Sequence, residues 1–161
     1  SAPYFWEKEQ RPHFLPAQKK FLETALASNT DRPHFLLTHA PVFDLPAEQT
    51  GSNQPLHAPN ADFNKIITKL AARNSHLRCV LGAHSHLNMC VPREGAQFIT
   101  ASALVETPFE CKIFEVSRES ISMKTVTLGN RVQDLGEYDF EKTFVQGRAI
   151  DRAFNWPDEN Y

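Results

Sequence analysis

An amphipathic helix between two short apolar runs is the feature that most restricts how this chain can fold. In the stretch NADFNKIITKLAARN, apolar residues recur from Phe63 to Ala71 at i, i+3, i+4, i+7 and i+8, and Asn60 can cap its start. The runs FLL and LRCVLG on either side are typical of buried strands. A strand, a helix and a second strand in this order form a right-handed unit with parallel strands. The sequence therefore predicts an α/β fold with strand 35–38, helix 61–73 and strand 78–82.

The remaining segments predict one domain and a tail. An apolar stripe in LPAQKKFLETALAS indicates a helix before the first strand, and residues 42–59 form a long loop rich in Pro, Asn, Gln and Gly. Two hairpins follow, with turns near 93–95 and 117–120, and we expect antiparallel strands there. The division is therefore a domain over 1–128 and an irregular tail over 129–161. Four aromatic residues should pack the tail on the domain: Phe140, Phe144, Phe154 and Trp156.

Composition excludes several functions. The chain has 161 residues and a formal net charge of -2, which gives no electrostatic reason to bind nucleic acid or an anionic membrane surface. No apolar stretch approaches the roughly 20 residues that cross a bilayer. The three cysteines are odd in number and widely spaced, which argues against a disulfide framework.

Three histidines directly follow the two predicted parallel strands. His39 comes after the first strand, and His84 and His86 come after the second. Because parallel neighbours end at the same edge of a sheet, where α/β proteins bind ligands, the fold should bring these imidazoles together. Neutral imidazole is the commonest metal-ligating side chain, and a His-x-His pair suits two metals or two corners of one. The alternative is that all three are ordinary loop histidines bonded to water or backbone; their common placement favours a metal site.

The chain resembles the calcineurin-like metallophosphoesterases. FLLTHAPVF resembles their apolar strand followed by His-x-Pro, and VLGAHSHLN resembles their Gly-His-x-His motif. The order, the intervening helix and the later stretch GAQFITASALVETPFECKIFEV are also similar, so the resemblance covers roughly residues 15–128.

This resemblance implies a fold, a cofactor and a reaction. The fold would be the C-terminal half of a four-layer α-β-β-α sandwich. The cofactor would be two divalent metal ions (Mn, Fe or Zn), with His39 and His84 on one metal and His86 on the other. The reaction would be hydrolysis of a phosphoester substrate, either a monoester or a diester, by a water activated between the metals. Ring nitrogens that are not on a metal should donate to backbone or carboxylate groups.

The chain also departs from the family's pattern. Ala83 stands where the family has glycine before the first histidine of the pair, so we expect a slightly different turn. The family's earlier motifs, Asp-x-His, Gly-Asp and Gly-Asn-His, do not occur in these 161 residues. They carry the bridging aspartate, the other carboxylate and asparagine ligands, and the histidine that protonates the leaving group.

Three expectations follow from these departures. This chain alone should hold at most one weakly bound metal, with zinc as the candidate, and should not hydrolyse efficiently. An apolar surface should await the missing N-terminal half of the fold or a dimer partner. The alternative function is a non-catalytic binding module with a structural or vestigial metal site.

Overall fold

The computed structural model describes residues 12–44, 60–106, 108–118, 120–128 and 145–157. In chain order its helices and strands are α1 (Pro16–Ala27), β1 (His34–Leu37), α2 (Ala61–Arg73), β2 (Leu77–Gly82), β3 (Met89–Arg93), β4 (Ala96–Thr100), β5 (Glu110–Val116), β6 (Ser120–Thr127), α3 (Ala149–Arg152) and β7 (Ala153–Pro157). None of the described helices is long and apolar enough to cross a membrane.

The strands form two sheets, and a helix connects two parallel strands of one of them, so the fold is α/β, as predicted. The mixed sheet has the order β1-β2-β4-β3, with β1, β2 and β4 parallel and β3 antiparallel to β4. The antiparallel sheet has the order β5-β6-β7. Both predicted hairpins are confirmed. The first hairpin also extends the parallel part of the mixed sheet, because β4 lies beside β2.

The predicted β-α-β unit is confirmed by β1, α2 and β2. Helix α2 has the predicted bounds, and the Asn60 side-chain oxygen accepts hydrogen bonds from the backbone N–H groups of Asp62 and Phe63, each at 3.1 Å. These bonds satisfy two of the donors that a helix start leaves open. The apolar face of α2, including Phe63 and Ile67, is buried.

The mixed sheet separates two hydrophobic clusters, because side chains alternate between its faces. Val80 and Phe98 belong to the cluster that includes the buried face of α2. Cys79 and Ile99 belong to the other cluster, which includes residues of the antiparallel sheet such as Phe114. The described layers are therefore helix, sheet and sheet. Burial raises the pKa of Cys79 to about 12, as expected for a thiol in the core.

Residues 145–157 contain a helix and a strand, and so differ from the irregular tail that the sequence predicts. Within 145–157 the chain forms α3 and then β7, which pairs antiparallel with β6. Phe154 packs into the cluster between the sheets, and the Arg78 guanidinium lies 4.9 Å from the centre of the Trp156 ring. Phe140, Phe144 and loop residues 45–59 lie outside the described residues. The division of the chain at residue 128 stays a prediction.

Candidate functional site

His39 and His84 come together at the edge of the mixed sheet where β1, β2 and β4 end, here called the carboxyl edge. The ladder between β1 and β2 continues one residue past β1, since the backbone N–H of Thr38 donates to the Leu81 carbonyl at 2.9 Å. His39 is the next residue, and His84 is two residues past the end of β2. Their ring centres are 5.4 Å apart, with the planes at 82°. The sequence-based placement of these two histidines therefore matches the structure.

The spacing of the two rings is compatible with one shared cation. Two imidazoles on one tetrahedral zinc ion, each with a Zn–N distance of about 2.1 Å, have ring centres about 5 Å apart. His39 is exposed and His84 is half-buried, so the pair is reachable from solvent. Within the described ranges, however, no three His, Cys, Asp or Glu side chains converge on a point that could hold a metal. Among the described residues, this edge therefore offers a cation two neutral ligands, His39 and His84.

The backbone at His84 is in a strained conformation. The N–H of Ser85 donates to the Ala83 carbonyl at 2.9 Å, and the intervening His84 has a φ of 73°. This three-residue γ-turn with positive φ is rare and strained for a residue with a side chain. Residues with positive φ in this loop are His84 and His86, not Ala83. The alanine in place of the family's glycine is therefore compatible with the turn that this chain forms.

His86 faces a carboxylate that the sequence analysis did not single out. Its Nδ1 lies 2.5 Å from Oε1 of Glu106, a residue in the segment that follows β4. The side chain of His86 is 54% exposed and that of Glu106 is 32% exposed. Glu106 reaches this position because β4 lies parallel to β2, with Thr100 opposite Gly82, so the segments after both strands leave the same edge. The structural signal for Glu106 is therefore the placement of β4, and not a local motif.

Hydrogen bonds to buried polar groups hold the end of the loop that carries His84 and His86. The Thr100 hydroxyl donates to the Leu87 carbonyl at 2.7 Å. Asn88 is fully buried; its side-chain oxygen accepts from the backbone N–H of Ser102 at 3.2 Å, and its side-chain amide donates to Glu110 at 2.7 Å. These bonds hold the end of the histidine loop against the segments that follow β4 and begin β5.

Glu110 in turn is held by an arginine from the C-terminal helix. The Arg152 guanidinium donates to both Glu110 oxygens, at 2.6 and 2.9 Å, and the Thr127 hydroxyl donates at 3.1 Å. Glu110 is 3% exposed, so its charge depends on these partners. The pairing of Glu110 with Arg152 could not be predicted from the sequence, because the two residues are 42 positions apart.

A second buried carboxylate, Asp151, lies in α3, the helix that also carries Arg152. Asp151 is fully buried and accepts hydrogen bonds from the Arg148 side chain and from the backbone N–H groups of Arg148 and Cys90. Burial acts to raise the pKa of Asp151, but these hydrogen bonds hold it below its usual range. Nearby, the Lys112 ammonium donates to the Asp151 carbonyl and to the Thr125 hydroxyl, each at 3.0 Å. Burial lowers the pKa of Lys112 to about 8.

Comparisons with known proteins support the fold and go no further. No protein-family model matches the sequence, and no curated protein matches it. Among solved structures, the fold is similar to a dimetal phosphatase from Danio rerio, with a TM-score of 0.54 and 15% sequence identity. The match covers 70% of this chain but only 35% of the phosphatase chain. This chain therefore has the fold of part of a dimetal phosphatase, and spans about a third of the length of that protein.

Proposed function

We propose, from the fold it shares with part of a dimetal phosphatase, that this chain supplies histidine ligands to a two-metal site that hydrolyses a phosphomonoester or phosphodiester. One observation carries the proposal: His39 and His84 lie 5.4 Å apart, ring centre to ring centre, past the ends of neighbouring parallel strands. In open α/β sheets this edge is where ligands bind. The two rings have the spacing that one shared ion requires.

The roles of the three histidines follow from their positions. His39 and His84 would bind one divalent ion, and His86 would bind the other. Two such ions supply Lewis-acid activation of the phosphoester and of the attacking water. The three imidazoles carry no negative charge, so they cannot compensate two dications. We therefore propose that this chain alone binds at most one ion, weakly, and turns over no substrate.

We propose that the carboxylate ligands come from another part of the fold, which covers β1. Strand β1 is at the edge of the mixed sheet, and no described strand pairs with its outer side. Leu37, the last residue of β1, is 72% exposed. Parallel strands are normally covered, and an open edge of this kind accepts a further strand. The match covers 35% of the Danio rerio phosphatase chain, so the rest of that chain is about twice as long as the matched part. A strand from a longer polypeptide or a second subunit would complete both the sheet and the site.

Zinc binding tests the histidine assignment directly. Isothermal titration calorimetry of this chain with Zn²⁺ should show weak binding at one site, and His39→Ala and His84→Ala should each weaken it at least tenfold. His76→Asn is the matched control, because His76 precedes the opposite end of β2. Unchanged zinc affinity in both alanine variants would refute the assignment.

Turnover separates the enzyme from the non-catalytic alternative. With excess Mn²⁺, this chain should not hydrolyse bis-p-nitrophenyl phosphate, whereas the complete natural protein should, and His84→Ala should abolish that activity. Turnover by this chain alone would contradict the proposal of a shared site. Bound metal without turnover in the complete protein would favour the binding module instead.

Sedimentation of this chain tests what covers β1. A monomer over a wide concentration range would exclude a second copy of this chain as the partner and leave another part of the fold to cover β1. A dimer that persists on dilution would favour a second copy as the partner.

A further inference from the structure

We infer that Glu106 is a positioning residue, which orients His86 and fixes the nitrogen that this ring presents to a ligand. The inference rests on the proposed function only for the identity of that ligand, a divalent metal ion. Its structural basis is the contact of 2.5 Å between His86 Nδ1 and Glu106 Oε1.

The chemistry of the contact fixes the state of the ring. An ionised carboxylate has only acceptors, so the His86 Nδ1 in contact with it carries the proton. In a neutral imidazole the other nitrogen, Nε2, then keeps its lone pair. A carboxylate behind a ligating histidine sets the tautomer in this way and makes the ring a stronger ligand. Glu106 would thereby make Nε2 of His86 the metal-binding atom.

Both partners stand on backbone that the fold holds in place. The Glu106 carbonyl accepts a hydrogen bond from the N–H of Phe109 at 2.7 Å. Phe109 is fully buried, and its carbonyl accepts from the N–H of Leu128 at 2.9 Å, just past β6. His86 immediately precedes the anchored residues Leu87 and Asn88. The contact therefore joins two loops that buried hydrogen bonds of Leu87 and Asn88 already hold against each other.

The contact differs from the two lysine–glutamate ion pairs on the surface of the described residues. Lys19 and Glu23 lie one helical turn apart at 4.0 Å, with both side chains about half exposed. Lys124 and Glu115 lie on adjacent strands at 3.4 Å, and both are more exposed still. Flexible lysine pairs of this kind constrain little. His86 and Glu106 are 20 positions apart, and Glu106 is more buried than either of those glutamates.

The tautomer of His86 provides a test that needs no metal. The ring ¹⁵N shifts of the metal-free chain at pH 8 should show the proton of His86 on Nδ1. In Glu106→Ala the proton should move largely to Nε2. Glu106→Gln should retain the Nδ1–H form, because its amide oxygen can still accept. Glu115→Gln, at an exposed position of β5, is the control and should leave the shifts unchanged. An unaltered His86 tautomer in Glu106→Ala would overturn the inference.

Metal affinity then tests the functional consequence. In the complete protein, Glu106→Ala should weaken binding of the second Zn²⁺ by about 10- to 100-fold, and Glu106→Gln should weaken it less. Equal affinity in wild type and Glu106→Ala would overturn the role toward a metal, even if the tautomer had changed. Failure of the proposed function would look different: His39→Ala and His84→Ala would then leave zinc binding intact, while the tautomer shift in Glu106→Ala would still occur.

Discussion

Replacing Arg152 by methionine should destabilise the whole domain and loosen the histidine loop. The variant Arg152→Met keeps most of the side chain's volume and removes its charge. It deletes both hydrogen bonds to Glu110, at 2.6 and 2.9 Å, and leaves that carboxylate with Asn88 and Thr127 as its partners. Because Glu110 is 3% exposed, its charge would then lie in the interior without the guanidinium that donates to it.

The size of the effect follows from burial on the two sides of the pair. Breaking a fully buried ion pair by removing one partner costs about 3–5 kcal/mol. The Arg152 side chain is 30% exposed, so water can partly replace it, and two hydrogen bonds to Glu110 remain. We therefore expect a loss of about 2–3 kcal/mol in the free energy of unfolding. For a domain of this length that corresponds to a fall in Tm of about 4–12 °C.

Urea denaturation followed by circular dichroism measures this loss. Lys124→Met is the matched control, since Lys124 and Glu115 form an ion pair at 3.4 Å with side chains 58% and 71% exposed. Removing that pair should cost about 0.5 kcal/mol or less. The double variant Glu110→Gln with Arg152→Met should recover part of the stability, because no charge is then buried alone. A loss below about 1 kcal/mol in Arg152→Met would refute the idea that this ion pair holds the network together.

Three further predictions concern glycine, the strained turn and pH. Gly147→Ala should lower the free energy of unfolding by about 2–4 kcal/mol, because residue 147 has a φ of 73° and a Cβ there would lie 2.3 Å from the Asn88 carbonyl oxygen. Gly95→Ala is the control: with a φ of 74° and nothing within 4 Å, it should cost only the backbone strain of about 1 kcal/mol. Equal losses of stability in urea denaturation of the two variants would contradict this. His84→Gly should be more stable than His84→Ala by about 1 kcal/mol, since the φ of residue 84 is 73°; an alanine variant of equal stability would show that the turn is not strained. The pKa of Lys112 is about 8 in the folded protein against 10.5 in the unfolded chain, so between these pH values the unfolded chain binds the additional proton. The stability of the wild type relative to Lys112→Met should therefore rise with pH from 8 to 10. If this difference in stability is flat or falls between pH 8 and pH 10, burial does not destabilise the ammonium.

The positions of the histidines at the carboxyl edge could be predicted because they depend on local patterns. The apolar period of α2 and the two short apolar runs predict a β-α-β unit, and the helical crossover returns the chain so that its two strands run parallel. His39 and His84 then lie at one edge, whatever the rest of the chain does. The γ-turn at His84 could not be predicted, since nothing in the letters AHSH indicates a positive φ at the histidine.

The contact between Glu106 and His86 could not be predicted from the sequence. The residues from Met89 to Thr100 show a hairpin pattern, and that pattern is confirmed, but alternation along a strand does not say which neighbour it joins. Only the insertion of β4 between β2 and β3 carries the following segment to the histidines. A carboxylate in that segment has no periodic or motif signal of its own.

The sequence by itself determined the helix α2, the strand–helix–strand order and the three histidines past the strand ends, because these depend on spacings of a few residues. The tertiary structure decided which side chains meet. His39 meets His84 across neighbouring strands, His86 meets Glu106 across 20 positions, and Arg152 closes on Glu110 across 42. For Glu110, which is buried, the physical reason is that a charged side chain is stable in a protein interior only beside its partner. That partner is chosen by how the sheets pack, which no local stretch of sequence encodes.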